Sequence, residues 1–319
     1  MAKIGDDLNR AAQFLKAGKL VAIPTETVYG LAADALKADA VAEIFRVKNR
    51  PSFDPLIIHL ANADALENYV KIVDETFLKL YQHFSPGPIS YVLPKKAIIP
   101  DLVSAGHPTV AVRFPEHPSA QALLKMLDFP LAAPSANIFG RVSPTNAQNV
   151  ADQLGNEIDY ILDGGQCSVG LESTIIDLSA PKPKVLRLGG LSLEELEDCL
   201  GEKIDFTQNS SSNPKAPGML SAHYSPGIPV VFGHLGENLK RVNRQRCGSI
   251  SFCKVMAGIP AENQRILSPK GDLKEAAAKL FGSLRSFKAL DIDLILAEEF
   301  PNEGLGRAIN DRLKRASAT

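Results

Sequence analysis

Short runs of aliphatic and β-branched residues alternate with stretches whose apolar residues fall at helical spacing, and this alternation limits the fold more than any other feature. Leu8, Ala11, Ala12 and Leu15 share one helical face, Gly18 closes the pattern, and an apolar strand-like run follows at 20–23. Further strand-like runs lie at 56–60, 89–93, 109–113, 131–133, 158–162, 174–178 and 184–188. Helical stretches at 38–46, 64–80, 118–127 and 147–154 separate them. Strands spaced this way predict an α/β protein built on a mixed sheet.

The pattern stops after Leu200. The run TQNSSSNPKAPG is polar, rich in Ser, Asn and Pro, and has no hydrophobic period, as expected of a tether. Beyond it come strand-like runs at 230–232, 249–253 and 293–297. One amphipathic helix carries Leu273, Ala276, Ala277, Leu280, Phe281 and Leu284, and a last helix is expected at 306–316. The chain has 319 residues, enough for two cores, so we expect a first domain over 1–204, a linker or lid over 205–228, and a smaller α/β domain over 229–319.

Lys and Arg number 35 against 36 Asp and Glu, so no global positive field would recruit a nucleic acid. The four cysteines form no CxxC pair, which suits a reducing compartment. The opening MAKIGDDLNR is acidic where a signal peptide needs an apolar stretch, and no apolar run is long enough for a bilayer. A cytoplasmic location without membrane association is the expectation.

Several loops beside predicted strands carry chemistry. Thr25, Glu26 and Thr27 in PTETVYG sit where a strand ends; they could hold a small polar ligand or cap a following helix. Lys48 and Arg50 are presented between a helix and prolines, either to an anion or as a solvated helix end. His59 lies in the apolar run LIIHL, where a hydrogen-bonded core histidine is the plain alternative to a functional one. In TVAVR the two-residue period puts Thr109, Ala111 and Arg113 on one face, so Arg113 needs either an anionic ligand or a structural acid.

Ser135, Asn137 and Ser143 lie in a hydroxyl- and amide-rich loop suited to phosphate, ribose or carboxylate, or simply to Asx and Ser turns. GLEST and Arg187 add another hydroxyl loop and another cation, and Tyr224 follows the tether, which could close as a lid. Walker, GxGxxG, HExxH and GxSxG motifs do not occur.

In this order PTETVYGL, KNRPSFDPL, SPGPISYVL, TVAVRFP, APSANIFGRVSPT, GLESTIID, LRLGG and APGMLSAHYSP resemble the Sua5/YrdC/YwlC family, in its long form with a carboxy-terminal Sua5 domain. The resemblance implies a YrdC-like twisted mixed sheet with helices and a Rossmann-like second domain. It further implies L-threonylcarbamoyladenylate synthase activity, a nucleotidyl transfer. L-threonine, bicarbonate and ATP with Mg2+ would give threonylcarbamoyl-AMP and pyrophosphate, passed to the transferase machinery for t6A at tRNA position 37. On the family pattern Thr27, His59, Arg113 and Ser173 would bind threonine. Lys48, Arg50, Asp54, Thr109, Ser135, Asn137, Ser143, Arg187 and Tyr224 would surround ATP, with Lys48 and Arg50 as the catalytic cations. No protein ligand to the metal is assigned, and tRNA binding is expected to be weak or indirect. Asn49, Asp54 and Ser90 depart from the family pattern; a carboxylate at 54 beside phosphates needs a cation to offset it. A non-catalytic RNA-binding module of the same fold is the competing expectation.

Overall fold

The computed structural model describes residues 1–71, 73–206, 217, 223–233 and 242–318. The first part is one sheet built from β1 (Lys3–Gly5), β2 (Val21–Ile23), β3 (Gly30–Asp34), β4 (Ile57–His59), β5 (Ile89–Pro94) and β6 (Thr109–Arg113), with β7 (Leu131–Ala132), β8 (Tyr160–Leu162), β9 (Thr174–Asp177), β10 (Lys184–Arg187) and β11 (Asp205–Phe206). Their spatial order is β1-β8-β2-β3-β7-β4-β6-β5-β9-β10-β11, with parallel and antiparallel neighbours mixed. Helices α1 (Leu8–Lys16), α2 (Ala38–Lys48), α3 (Glu75–Phe84), α4 (Asp101–Ser104), α5 (Pro118–Lys125), α6 (Ala147–Leu154) and α7 (Leu193–Leu200) accompany it. Caps follow the chemistry of helix ends: Asp7 accepts from the Arg10 amide, and Ser192 with Glu195 closes a reciprocal capping box on α7.

Two expectations are corrected. The helical stretch at 64–80 is two elements, a 3-10 turn at Ala63–Asn68 and then α3. Val70 pairs with Lys95 across a β-bridge, and Asp74 caps α3 by accepting from the Phe77 amide at 2.8 Å, so the chain cannot run on as one helix. PTETVYG leads into the antiparallel strand β3, which leaves no helix for Thr25 or Thr27 to cap. Thr25 Oγ1 instead accepts from the Thr27 and Val28 amides and donates to the Val28 carbonyl, closing a turn on itself.

The second part is a parallel sheet, β12 (Val230–Phe232), β13 (Cys247–Ser251), β14 (Gln264–Ile266) and β15 (Leu294–Ala297), in the order β12-β15-β13-β14, with α8 (Leu273–Ser286) and α9 (Gly306–Ala316). This is the smaller Rossmann-like unit. The strand expected at 249–253 lies two residues earlier. The polar tether falls largely outside the described residues. Leu191, Leu196 and Ile204 belong to the first core, so the chain stays with the first sheet through β11.

The two parts share a core. Val28, Val142, Leu171 and Tyr224 pack with Phe281, Leu284 and Leu313 of the second unit. Glu194 of α7 accepts from the Gly304 amide at 3.3 Å and from Arg307 at 2.6 Å, giving the start of α9 a carboxylate from the other domain. Gly170 lies tight against the second unit: its φ is +72°, and a Cβ there would lie 2.6 Å from the Ala278 Cα. Gly170→Ala should therefore lower stability by about 2–5 kcal/mol, combining left-handed strain with overpacking. Chemical denaturation of the full chain checks this, and an unchanged unfolding free energy would contradict the contact.

Candidate active site

The sheet brings the candidate residues together through strand order rather than through neighbourhood in sequence. His59 of β4 stands opposite Arg113 of β6, Arg113 opposite Ser90 of β5, Ser90 opposite Ile175 of β9, and Ile175 opposite Arg187 of β10. Residues directly opposite across strands share a face, so one transverse rung presents an imidazole, a hydroxyl and two guanidinium groups together. Next to it Ile57, Ala111, Val92 and Leu186 cluster with the rung's own Ile175 as a small apolar floor. Gly189 lets the chain after β10 turn in against the preceding loop, since a Cβ there would lie 2.3 Å from the Glu172 carbonyl oxygen. Arg187 consequently reaches Ser173.

Over this rung lies a crevice of about 490 Å³, counting its mouth. Arg50, His59, Arg113, Ser135, Ser173, Arg187 and Tyr224 line it, joined by Val28, Glu172, Pro217 and His223. The three arginines are 8, 4 and 6% exposed, so they face an enclosed space and not a surface groove. Lys48, Asp54, Asn137, Ser143 and Thr27 are buried and do not line the crevice. Lys48 Nζ donates to the Ser135 and Asn137 carbonyls at 2.5 and 2.6 Å, fixing the loop that carries Ser135. The reading of Lys48 and Arg50 as a solvated helix end is set aside by their burial. Thr109 shares a face with Arg113 but sits four residues along the strand, about 13 Å away, and does not line the crevice.

Each buried charge has a specific arrangement. Arg50 pairs with Asp54 at 2.9 Å and also donates to the Asp54 and Pro55 carbonyls, which resolves the concern over a carboxylate at 54. Arg113 Nη2 pairs with Glu26 at 2.8 Å; its Nε has no hydrogen-bond partner among the described residues. Glu172 accepts from Ser143 Oγ at 2.6 Å and pairs with Arg312 of α9 at 3.1 Å. Arg187 differs: its guanidinium donates to the Ser173 carbonyl, the Ser173 hydroxyl and the Pro217 carbonyl, all neutral. It is thus the guanidinium of the rung with no carboxylate in hydrogen-bond contact among the described residues.

Burial shapes the protonation states. It drives Lys48 well below the usual ammonium range, helped by Arg50 beside it, and brings Arg187 down to about 10. Burial alone would raise Glu172, but Arg312, Arg187 and the Ser143 hydrogen bond hold it at about 2. His59 and His223 are pushed down to about 3, by burial and then, for His59, by Arg113. Burial raises Tyr224 to about 12 and the Cys167 thiol to about 12, which leaves no thiolate nucleophile there.

Two family models together cover nearly the whole chain. The Sua5/YciO/YrdC model, described as telomere recombination, matches residues 13–189, and one described as the C-terminal domain of threonylcarbamoyl-AMP synthase matches 191–318. The chain belongs to the Sua5/YrdC/YwlC family. Among its Sua5 relatives, the threonylcarbamoyl-AMP synthase of Pyrococcus abyssi is 41% identical over 96% of this chain and 93% of that one. The Bacillus subtilis enzyme of the same name is 38% identical over 97% of this chain and 92% of that one. The crystal structure of P. abyssi Sua5 complexed with L-threonine aligns at a TM-score of 0.91 and 38% identity, covering 100% of this chain and 98% of that one.

The sequence left a structural acid open for Arg113 and named Glu26 only as part of a ligand-holding loop; the structure makes Glu26 that acid, and the role of Glu172 was not foreseen. Glu26 and Glu172 sit in the quoted segments PTETVYG and GLEST, and the signal that could have found them is electrostatic: buried strand-end arginines require carboxylates, and these loops supply them. Arg312 was also missed. His223, whose ring meets Phe139 edge-on at 5.7 Å, was noticed only as part of the tether.

Proposed function

We propose that this Sua5 family member is an L-threonylcarbamoyladenylate synthase, joining L-threonine, bicarbonate and ATP into threonylcarbamoyl-AMP with release of pyrophosphate. The observation that carries the reading is the convergence of Arg50, Arg113 and Arg187 on one enclosed crevice, with Arg113 Nε unpartnered. An amino acid carboxylate and a polyphosphate are two anions, and this crevice offers separate guanidinium groups for them. Arg113 and His59 would take threonine, with Thr27 and Ser173 supporting. Arg50, Ser135, Arg187 and Tyr224 would face ATP, with Lys48, Asp54, Asn137 and Ser143 bracing that wall.

In this scheme the threonine amine attacks the carbon of bicarbonate, a C–N bond forms and a C–O bond breaks with loss of water, giving a carbamate; with CO2 a C=O π bond opens instead and the amine gives up a proton. A carbamate oxygen then attacks the α-phosphorus, a P–O bond forms, and the α–β bridge breaks to release pyrophosphate. No protein nucleophile is required. Alignment of the reactants and fixed positive charge would supply the rate enhancement, and enclosure would protect the labile carbamate. Mg2+ would enter on ATP as part of the substrate; among the described residues no group of three or more His, Cys, Asp or Glu is placed to hold a metal. Pro217, His223 and Tyr224 of the 205–228 tether line the crevice, which supports its use as a cover between domains at 1–204 and 229–319. The product would pass to a cytoplasmic t6A transferase system. A non-catalytic RNA module is disfavoured, because guanidinium groups this buried cannot lie along a phosphate backbone.

The purified chain incubated with threonine, bicarbonate and Mg-ATP should release pyrophosphate in a threonine-dependent manner. Serine, lacking one methyl, should lower kcat/KM about 10- to 200-fold. Pyrophosphate appearing at the same rate without threonine would refute the proposal.

A further inference from the structure

We propose that Arg312, supplied by the carboxy-terminal domain, is a positioning residue of the crevice: it holds the Glu172 carboxylate away from Arg187, whose positive charge then serves the polyphosphate. Arg312 is fully buried, its Nε donates to Glu172 Oε2 at 3.1 Å, and its guanidinium lies 5.5 Å from the centre of the Tyr224 ring. Glu172 lines the crevice, and its other oxygen accepts from Ser143, so it is held in place from both sides. The next residue, Ser173, is the one whose carbonyl and hydroxyl receive Arg187. Without Arg312 the Glu172 carboxylate would be an uncompensated charge in the wall, repelling phosphate and turning toward Arg187. Arg113 is insulated from this exchange by its own partner Glu26. The second domain thereby contributes to ATP binding without lining the site.

The inference rests on the synthase reading for the identity of the anion, and its test is binding, not turnover. Mg-ATP and threonine affinities are measured by calorimetry on full-length wild type, Arg312→Met, Arg312→Lys, Glu172→Gln and the Glu172→Gln/Arg312→Met double variant. Arg312→Met should weaken ATP about 100-fold, the scale of losing one partner of a buried charge pair. Threonine affinity should stay within about threefold, because its guanidinium is paired elsewhere. Arg312→Lys should recover part of the loss, and the double variant should return to within about tenfold of wild type.

A merely structural arginine would lower both affinities together and would not be rescued by Glu172→Gln; either result overturns the proposal, as does wild-type ATP affinity in Arg312→Met. If Arg312→Met does not fold, the double variant is compared with Glu172→Gln alone. The two should bind ATP alike, and a further tenfold loss would overturn the inference. A wild-type chain that binds ATP but releases pyrophosphate without threonine fails the synthase reading alone; one that binds no ATP fails both.

Discussion

Arg113→Ala is expected to remove threonine affinity, by roughly 30-fold to several thousand-fold, while leaving ATP affinity within a few-fold of wild type. Arg113 Nη2 is held by Glu26, whose second oxygen accepts from the Glu116 amide at 3.1 Å, so the guanidinium is fixed in orientation before any ligand arrives. Its Nε is buried and unpartnered, the donor that a carboxylate ligand would satisfy. Removing the guanidinium also leaves Glu26 buried without its cation, at a cost of about 3–5 kcal/mol in stability. For this reason the informative comparison adds Glu26→Gln/Arg113→Ala, which removes both charges. Calorimetric titration of threonine and of Mg-ATP into each variant separates the outcomes. Equal loss of both ligands would show that Arg113 and Arg187 do not divide the two anions between them.

That rung shows what was legible in the sequence and what was not. The two-residue period of TVAVR placed Arg113 on a face with Ala111, as found, and most strand positions were readable from β-branched runs. The neighbourhood of His59, Ser90 and Arg187 was not readable, because it depends on the order β4-β6-β5-β9-β10. Those pairings join residues as far apart in sequence as Ser90 and Ile175, and no local spacing encodes them. The same limit explains Thr109, correctly placed by period yet too far along β6 to reach the crevice. Short strands such as β1, β3 and β14 escaped notice because three to five residues with a glycine or charge carry almost no periodic signal. Family resemblance pointed to these positions as candidates; the structure shows how their charges are balanced, by Asp54, Glu26 and a carboxylate–arginine pair that joins the two parts of the chain.

Acidification should destabilise this fold well above the usual carboxylate range. His59 and His223 are 2 and 7% exposed, and Nδ1 of each has no partner among the described residues, so protonation would bury a charge with one ring nitrogen unpaired. Burial holds both at about 3 in the folded chain, against about 6.5 when unfolded. Between those values the unfolded chain binds more protons than the native one. The histidine contribution is therefore complete above pH 6.5 and is lost as pH falls toward 3. Each histidine gives a slope approaching 1.4 kcal/mol per pH unit, so the pair should remove about 4 kcal/mol between pH 7 and pH 5. Glu172 acts in a lower window: held at about 2, it stabilises the fold above its ordinary value near 4.5 and loses that effect on further acidification. It does not contribute to the drop between pH 7 and pH 5. Urea unfolding at those two pH values should show the full loss in wild type and little of it in His59→Gln/His223→Gln, whatever the absolute stability of the variant. A parallel drop in both proteins would mean that these imidazoles already carry protons in the native state, and the crevice would then hold more positive charge than three arginines give it.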